Sequence, residues 1–222
     1  MELLITIGER EFIIPDTVIN TWVVAIGLMI FALIANKRFK KAKEEDIPSG
    51  FLNIVEIIIE SVQGLVRSTM GESNMRFAPF ILTIFSFILI SNLLGLVGLT
   101  SPTSDYSITL SLALITFSIV QIMKFKTSGG LLKYLKSFLE PYVLLSPLNV
   151  IGELANPVSL SFRLFGNIMS GGLIMTLLYS WLGYLAPIIA PPLHAYFDVF
   201  SGVLQAFIFT MLTMVFIAGA TE

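Results

Sequence analysis

The residue with the clearest chemical signal in this sequence is a single arginine in an apolar segment. Arg163 lies within SLSFRLFGNIMSGG (159–172), and from residue 137 to the end of the chain it is the only Lys or Arg. Arginine keeps its proton at any working pH, and a charge at the centre of a bilayer costs about 3 kcal/mol on insertion scales. Such a residue normally faces the protein interior or water and has a partner. We therefore interpret Arg163 as a fixed positive barrier.

Two structural roles for Arg163 are the alternatives: snorkelling from a helix end, or a structural ion pair. The arginine lies about 18 residues from either end of its apolar stretch, 145–182. Glu153 lies ten residues earlier, about 15 Å along a helix, which is too far for a direct pair. Both observations favour the barrier.

Polar residues around Arg163 form two stripes at helical spacing, because residues i, i+3, i+4 and i+7 share one helix face. The first stripe runs for about 27 Å from its first member to Asn167. It consists of Asn149, Glu153, Asn156, Arg163, Asn167 and Ser170, with Ser159 beside it. The second stripe consists of His194, Asp198, Ser201 and Gln205. The structural alternative is that such residues only join helices, as expected for Asn92, and that His194 is an outer-surface group.

Other classes of chemistry have no support in the sequence. The chain has no cysteine, no phosphate-loop spacing, no nucleophile–base arrangement and no metal-ligand spacing. Its net charge of −2 provides no basic face for nucleic acid. We expect no catalytic site in this chain, no cofactor, no metal and no nucleic-acid partner.

The composition indicates that the elements carrying these stripes lie in a lipid bilayer. The chain is 55% hydrophobic and 13% charged, with a mean hydropathy of +0.88, whereas soluble domains average about 25% charged. The predicted fold is an all-α integral membrane protein forming a single domain (1–222). Five transmembrane helices are predicted, the last two long and tilted, with an interfacial or re-entrant amphipathic helix at 48–70. The predicted spans are 18–35, 77–99, 108–123, 145–182 and 193–219.

The distribution of positive charge predicts the orientation. Eleven of the thirteen Lys and Arg residues fall in three places: the cluster from Lys37 to Lys43, the pair Arg67 and Arg76, and the loop 124–136. With five spans, all three lie on one side, which is the cytoplasm. The N-terminus is then outside and the C-terminus inside. On this topology the Glu153 stripe opens inward, the His194 stripe opens outward, and Arg163 lies between them.

Three segments resemble a known family. The segment PVSLSFRLFGN (157–167), followed by LQAFIFTMLTMVFI (204–217), resembles subunit a of the F-type ATP synthases, and PTSDYSITLSLALITF (102–117) resembles its outer loop and third span. The resemblance covers nearly the whole chain. It implies a stator subunit with two offset half-channels, which pass ions to and from carboxylates on a rotating ring of small subunits, the c-ring.

The resemblance also assigns individual residues and partners. The family's essential arginine matches Arg163, its nearby glutamine matches Gln205, and its outer acidic or histidine position matches Asp198. Asn167 and Ser159 match polar positions on the same helix pair. Where many members have Glu or His, nine residues after the arginine, this chain has Gly172. The implied partners are the c-ring, the b-subunit stator stalk and the rest of the ATP synthase, in a bacterial plasma membrane.

The coupling ion is left open by the sequence. Protons are the expected ion, and sodium is the alternative. More distant alternatives are a stand-alone secondary transporter, which would need a central substrate site and usually internal repeats, and a membrane scaffold without an ion path.

Overall fold

The computed structural model describes residues 3–7, 10–41, 50–137, 139 and 146–221. Lys43, residues 48 and 49 of the predicted amphipathic helix, and residue 145 of the fourth predicted span lie outside these ranges. The described chain begins with an antiparallel hairpin of β1 (Leu3–Ile7) and β2 (Arg10–Ile14), in which Leu3 is opposite Ile14. The sequence analysis did not predict this hairpin. The secondary-structure elements that the structure describes after it are all helices, and the predicted all-α membrane fold is confirmed.

Eight α-helices follow the hairpin in the described part of the chain. They are α1 (Asp16–Phe39), α2 (Gly50–Met70), α3 (Ala78–Leu93), α4 (Tyr106–Ser128), α5 (Leu131–Ser137), α6 (Ser146–Leu182), α7 (Ala186–His194) and α8 (Gly202–Gly219). A π-helical segment, Ala195–Ser201, joins α7 to α8. Helices α1 and α4 extend beyond their predicted spans at both ends, whereas α3 is shorter than its span. The predicted span 193–219 is divided among α7, the π-helical segment and α8.

Four helical stretches of the described chain are long and apolar enough to cross a membrane: Asp16–Phe39, Glu72–Val97, Tyr106–Ser128 and Ser146–Gly219. The last has 74 residues and turns back on itself. Gly183, with φ of 48°, begins the 3₁₀ turn between α6 and α7, and α6 then packs against the π segment and α8. A crossing needs about 20 residues, so this stretch has the length of two crossings. The five-crossing topology stays a prediction.

The amphipathic pattern of 48–70 corresponds to α2. Its buried residues recur at helical spacing, and they are Leu52, Val55, Val62, Val66 and Met70. Glu56 and Glu60 are exposed. The buried face packs on α3 and α8, where Ile81 and Ile217 are fully buried. The amphipathic helix is confirmed, and its interfacial placement stays a prediction.

A second core cluster places α6 beside α3, α4 and α8. Leu160 and Leu164 of α6 pack against Ile88, Ala113 and Phe209. Leu160 and Leu164 are buried, whereas Arg163 is exposed at the surface of the bundle.

Polar contacts hold the loop between α3 and α4 against neighbouring helices. Asn92 in α3 donates to the backbone oxygen of Gly202 at 2.8 Å and accepts from Thr103 at 2.6 Å. Asn92 and Thr103 are both nearly fully buried. The side chain of Thr17 at the start of α1 donates to Asp105, which caps α4. These bonds tie the loop between α3 and α4 to α3 and to α1. Asn92 also joins α3 to α8, so its predicted helix-joining role is confirmed.

Candidate functional site

Arg163 lies in the middle of α6, on the exposed face of the helix. Among the described residues it forms no hydrogen bond and no ion pair. Its neighbours on the same face include Phe162 and Gly166, which are also exposed. A permanent charge is therefore presented laterally, at the centre of an apolar helix, without a partner from the described chain.

Glu153, one of the predicted stripe residues, is held by α4. Its carboxylate accepts hydrogen bonds from Lys124 Nζ and from Gln121 Nε2, and the first contact is an ion pair. Tyr134 of α5 in turn donates to Gln121 Oε1 at 2.7 Å. A network of four polar side chains thus joins α4, α5 and α6.

Three members of this network, Gln121, Lys124 and Glu153, line a cavity of about 210 Å³. Asn156 also lines it, and Phe117 and Val215 form part of its apolar wall. Pro157, inside α6, borders the cavity as well. The space is large enough for several water molecules, at about 30 Å³ each in the liquid. Two predicted stripe residues, Glu153 and Asn156, therefore share one polar cavity.

Tyr134 is the one group in this network that lies outside the membrane-crossing helices. Burial raises the pKa of its hydroxyl above the ordinary value of 10.0, and the negative charge of Glu153 raises it further. The phenol is therefore neutral at physiological pH and available as a donor to Gln121.

The middle of the site is a contact between α6 and α8. Asn167 Nδ2 donates to Gln205 Oε1 at 3.0 Å, and Gln205 is only 2% exposed. Asn167 lies one helical turn beyond Arg163 on α6. The two predicted stripes therefore meet here, next to the arginine.

The remaining cluster lies on the π segment and its flanks. His194 Nδ1 is 2.5 Å from Asp198 Oδ2, and Tyr179 Oη of α6 is 2.8 Å from His194 Nε2. The Asp198 carboxylate packs against Gly95, where an added Cβ would lie 3.6 Å from its Cγ. An added Cβ at position 95 would make ordinary van der Waals contact with this carboxylate. π-Helical turns are uncommon and frequently occur at functional sites.

The predicted residues are thus brought together in part. His194 and Asp198 are in contact, whereas Gln205 bonds Asn167 and neither of these two residues. The hydroxyl of Ser201 forms no hydrogen bond with the described residues, and Ser159 is exposed. Asn149 is half-buried at the start of α6. The predicted stripe on the fifth span assumed regular α-helix, and the π-helical turn changes the angular spacing of its members.

Four participants were missed by sequence reasoning: Lys124, Gln121, Tyr134 and Tyr179. Lys124 was counted as a loop residue, because the third span was predicted to end at 123, whereas α4 continues to Ser128. Tyr179 reaches His194 only because the chain reverses near Gly183, which places residues 15 positions apart side by side.

Known proteins resemble this chain over nearly its whole length. The family model of the ATP synthase A chain matches residues 18–218. The chain belongs to this family. Subunit a of the ATP synthase of Citrifermentans bemidjiense is 35% identical, over all of this chain and 93% of its own length. The subunit a of Moorella thermoacetica is 37% identical, over 93% of this chain and 90% of its own.

A third relative is the sodium ion specific ATP synthase subunit a of Propionigenium modestum. It is 36% identical, over 96% of this chain and 76% of its own length. The chain is thus a multi-pass membrane protein of the ATP synthase A chain family, whose role is ion translocation in the membrane sector of the enzyme.

Proposed function

We propose that this chain forms two offset half-channels separated by Arg163. The inner one contains Asn149, Glu153 and Asn156. The outer one contains His194, Asp198, Ser201 and Gln205, and Ser159 and Asn167 lie beside the arginine. Ions pass from the outer half-channel to a carboxylate on the rotating c-ring and leave through the inner one. The ions that we propose are protons.

The observation that supports this proposal is the position of Arg163. It is exposed on α6 without a partner among the described residues. Along the helix it lies about 15 Å from Glu153 and about 24 Å from Tyr179, which contacts the outer pair. A charge exposed to lipid is costly, so a carboxylate on a neighbouring subunit is the expected partner. Such a carboxylate pairs with Arg163 once its ion has left, while free cations are repelled.

The geometry of the clusters gives each half-channel its chemistry. A cation that leaves the ring meets the cavity lined by Glu153 and Asn156, whose polar atoms can replace part of its hydration shell. An ion that enters from outside meets the Asp198 carboxylate. The membrane potential supplies about 2.3 kcal/mol per charge per 100 mV. Rotation of the ring transmits that energy to ATP synthesis in the soluble part of the complex.

Sodium is the second candidate ion. The observation that favours it is the likeness to the Propionigenium modestum subunit, whose name specifies sodium. Hydrolysis of ATP by the whole complex in alkaline buffer, with and without sodium, separates the two. Stimulation by sodium supports sodium coupling, and indifference supports protons.

The surroundings that we propose follow from charge and family. The chain crosses a bacterial plasma membrane five times, with its N-terminus outside and its C-terminus in the cytoplasm. It contacts lipid, the c-ring and the b-subunit stalk. A stand-alone transporter should be stable when it is expressed without these partners, whereas a half-channel subunit with an exposed arginine should aggregate or be degraded.

The test of the barrier is Arg163→Ala in the whole complex reconstituted into vesicles. We expect ATP synthesis to be lost, because ions then cross between the half-channels without turning the ring. Arg67→Ala is the matched control, since Arg67 lies on α2 and forms only an exposed pair with Glu72. Parental ATP synthesis by the Arg163→Ala complex would show that the barrier assignment is wrong.

A further inference from the structure

We propose that Tyr179, His194 and Asp198 form a proton relay, with Tyr179 as the positioning residue that orients the imidazole. The inference rests on the proposed outer half-channel, and it specifies a proton as the ion that Asp198 accepts. It begins from two hydrogen bonds on opposite sides of one ring: Nε2 to Tyr179 Oη at 2.8 Å, and Nδ1 to Asp198 Oδ2 at 2.5 Å.

The two bonds fix the resting form of the imidazole. A carboxylate can only accept, so Nδ1 carries the proton that it donates to Asp198. Nε2 then has a lone pair, and the Tyr179 hydroxyl donates to it. Because a hydroxyl can also accept, Tyr179 keeps its contact when Nε2 becomes protonated. The ring is therefore held in one orientation in both protonation states.

The exposure of the three side chains gives the relay a direction. Tyr179 is exposed, whereas His194 and Asp198 are half-buried. The sequence Tyr179, His194, Asp198 thus leads from the surface of the chain toward the carboxylate that packs against Gly95.

The transfer step balances without a further reactant. Hydronium gives a proton to the Tyr179 hydroxyl while this hydroxyl passes its own proton to Nε2, which leaves water and an imidazolium with a proton on each nitrogen. Nδ1 then passes its proton to Asp198 Oδ2, which leaves a neutral imidazole and a carboxylic acid. Asp198 gives this proton to the c-ring carboxylate of the proposed half-channel, and water carries the Nε2 proton to Nδ1, which restores the resting form. No electrons are transferred.

The same geometry disfavours a sodium ion at this carboxylate. Hard cations bind oxygen lone pairs. Here Oδ2 already accepts from an N–H donor, and the imidazole presents no oxygen. A sodium ion at Oδ2 would compete with His194 for this oxygen, whereas a proton uses the existing hydrogen bond.

The experiment measures ATP-driven proton pumping by the whole complex in vesicles, normalised to the amount of assembled complex. The variants are Tyr179→Phe, His194→Ala, both together, and Asp198→Asn. The matched control is Tyr184→Phe, because Tyr184 lies in the turn after α6, is fully exposed and bonds none of the described residues. Added imidazole replaces the missing ring, and sodium transport by the parental complex is measured in the same vesicles.

We expect Tyr179→Phe to lower pumping about tenfold, as for other partners that orient a functional histidine. His194→Ala should lower it about 100-fold or more, and imidazole should restore much of the rate. The double variant should need more imidazole for the same recovery, because the phenol no longer holds the added ring. A purely structural Tyr179 would not change this requirement.

Three results would overturn the relay, each with a different meaning. Normal pumping by the Tyr179→Phe and His194→Ala complexes, with loss in Asp198→Asn, removes the relay and leaves the outer half-channel in place. Normal pumping by Asp198→Asn removes the proposed half-channel together with the relay. Transport of sodium but not protons by the parental complex removes the relay and leaves ion coupling in place.

Discussion

Asn167 donates the hydrogen bond that joins α6 to Gln205, a residue 2% exposed in α8, at 3.0 Å. The donor is on the exposed side of α6, and the acceptor is fully inside the bundle. The two partners therefore respond differently to truncation, because only the buried amide loses its access to any replacement donor.

Asn167→Ala should destabilise the fold by about 1–2 kcal/mol, since the buried Gln205 oxygen then lacks a donor. In a Gln205→Leu background the same change should cost much less, because no buried acceptor remains. The measurement is the midpoint of heat-induced loss of this chain from the purified complex, for both single variants and the double variant. Equal losses in the two backgrounds would contradict the coupling.

Lys124 and Glu153 should show charge compensation. Lys124→Met leaves the partly buried Glu153 carboxylate without its cation, and Glu153→Gln leaves the ammonium without its anion. We expect both single variants to lower the amount of assembled complex, because removing one partner of such a pair costs more than removing both. The variant with both changes should recover assembly.

The same set of variants tests the inner half-channel. Ion pumping per assembled complex should stay low in the variant with both changes, since the proposed path has lost its carboxylate. Lys126→Met is the matched control, because Lys126 is exposed two residues further along α4. Full pumping by the doubly changed complex would show that Glu153 serves assembly alone.

Most of the fold could be predicted from the sequence because each element carries its own local pattern. The apolar lengths of α1 and α6 and the period of buried residues in α2 are local signals. Arg163 stood out for the same reason. Contacts between elements carry no such pattern: Lys124 reaches Glu153, and Tyr179 reaches His194, only after distant helices pack together.

Two local features could also not be predicted from the sequence. The π-helical turn at Ala195–Ser201 follows a stretch that contains Pro191 and Pro192. Proline removes an N–H from the helical ladder, so breaks were foreseeable near these residues, but their form was not. The N-terminal hairpin pairs strands of five residues each, where periodicity is too short to identify a strand.

The loss of stability of the folded chain at alkaline pH should depend on Tyr134. Its pKa is raised in the fold by burial and by Glu153, so the neutral phenol is favoured when the protein is folded. Its contribution is complete below pH 10, the pKa in the unfolded chain, and is lost as the pH rises through the higher folded value. We expect α5 to detach from α4 above that pH.

The measurement is absorbance of tyrosinate against pH for the parental complex minus the Tyr134→Phe complex. This difference should titrate at higher pH than N-acetyltyrosinamide in the same buffer. Titration of the difference at or below the pH of the free amide would contradict the burial of Tyr134.

Gly202 should not tolerate alanine. An added Cβ would lie 3.1 Å from Cβ of Asn92, which donates to the backbone oxygen of the same glycine. Neither helix can give way easily, because Asn92 is also held by Thr103. We expect Gly202→Ala to destabilise the chain by about 1–3 kcal/mol, the usual cost of overpacking.

Gly27→Ala is the matched control, since nothing lies within 4 Å of a Cβ at that position in α1. The thermal midpoint of the complex should fall for Gly202→Ala and not for Gly27→Ala. An unchanged midpoint for Gly202→Ala would mean that α3 and α8 are not in such close contact.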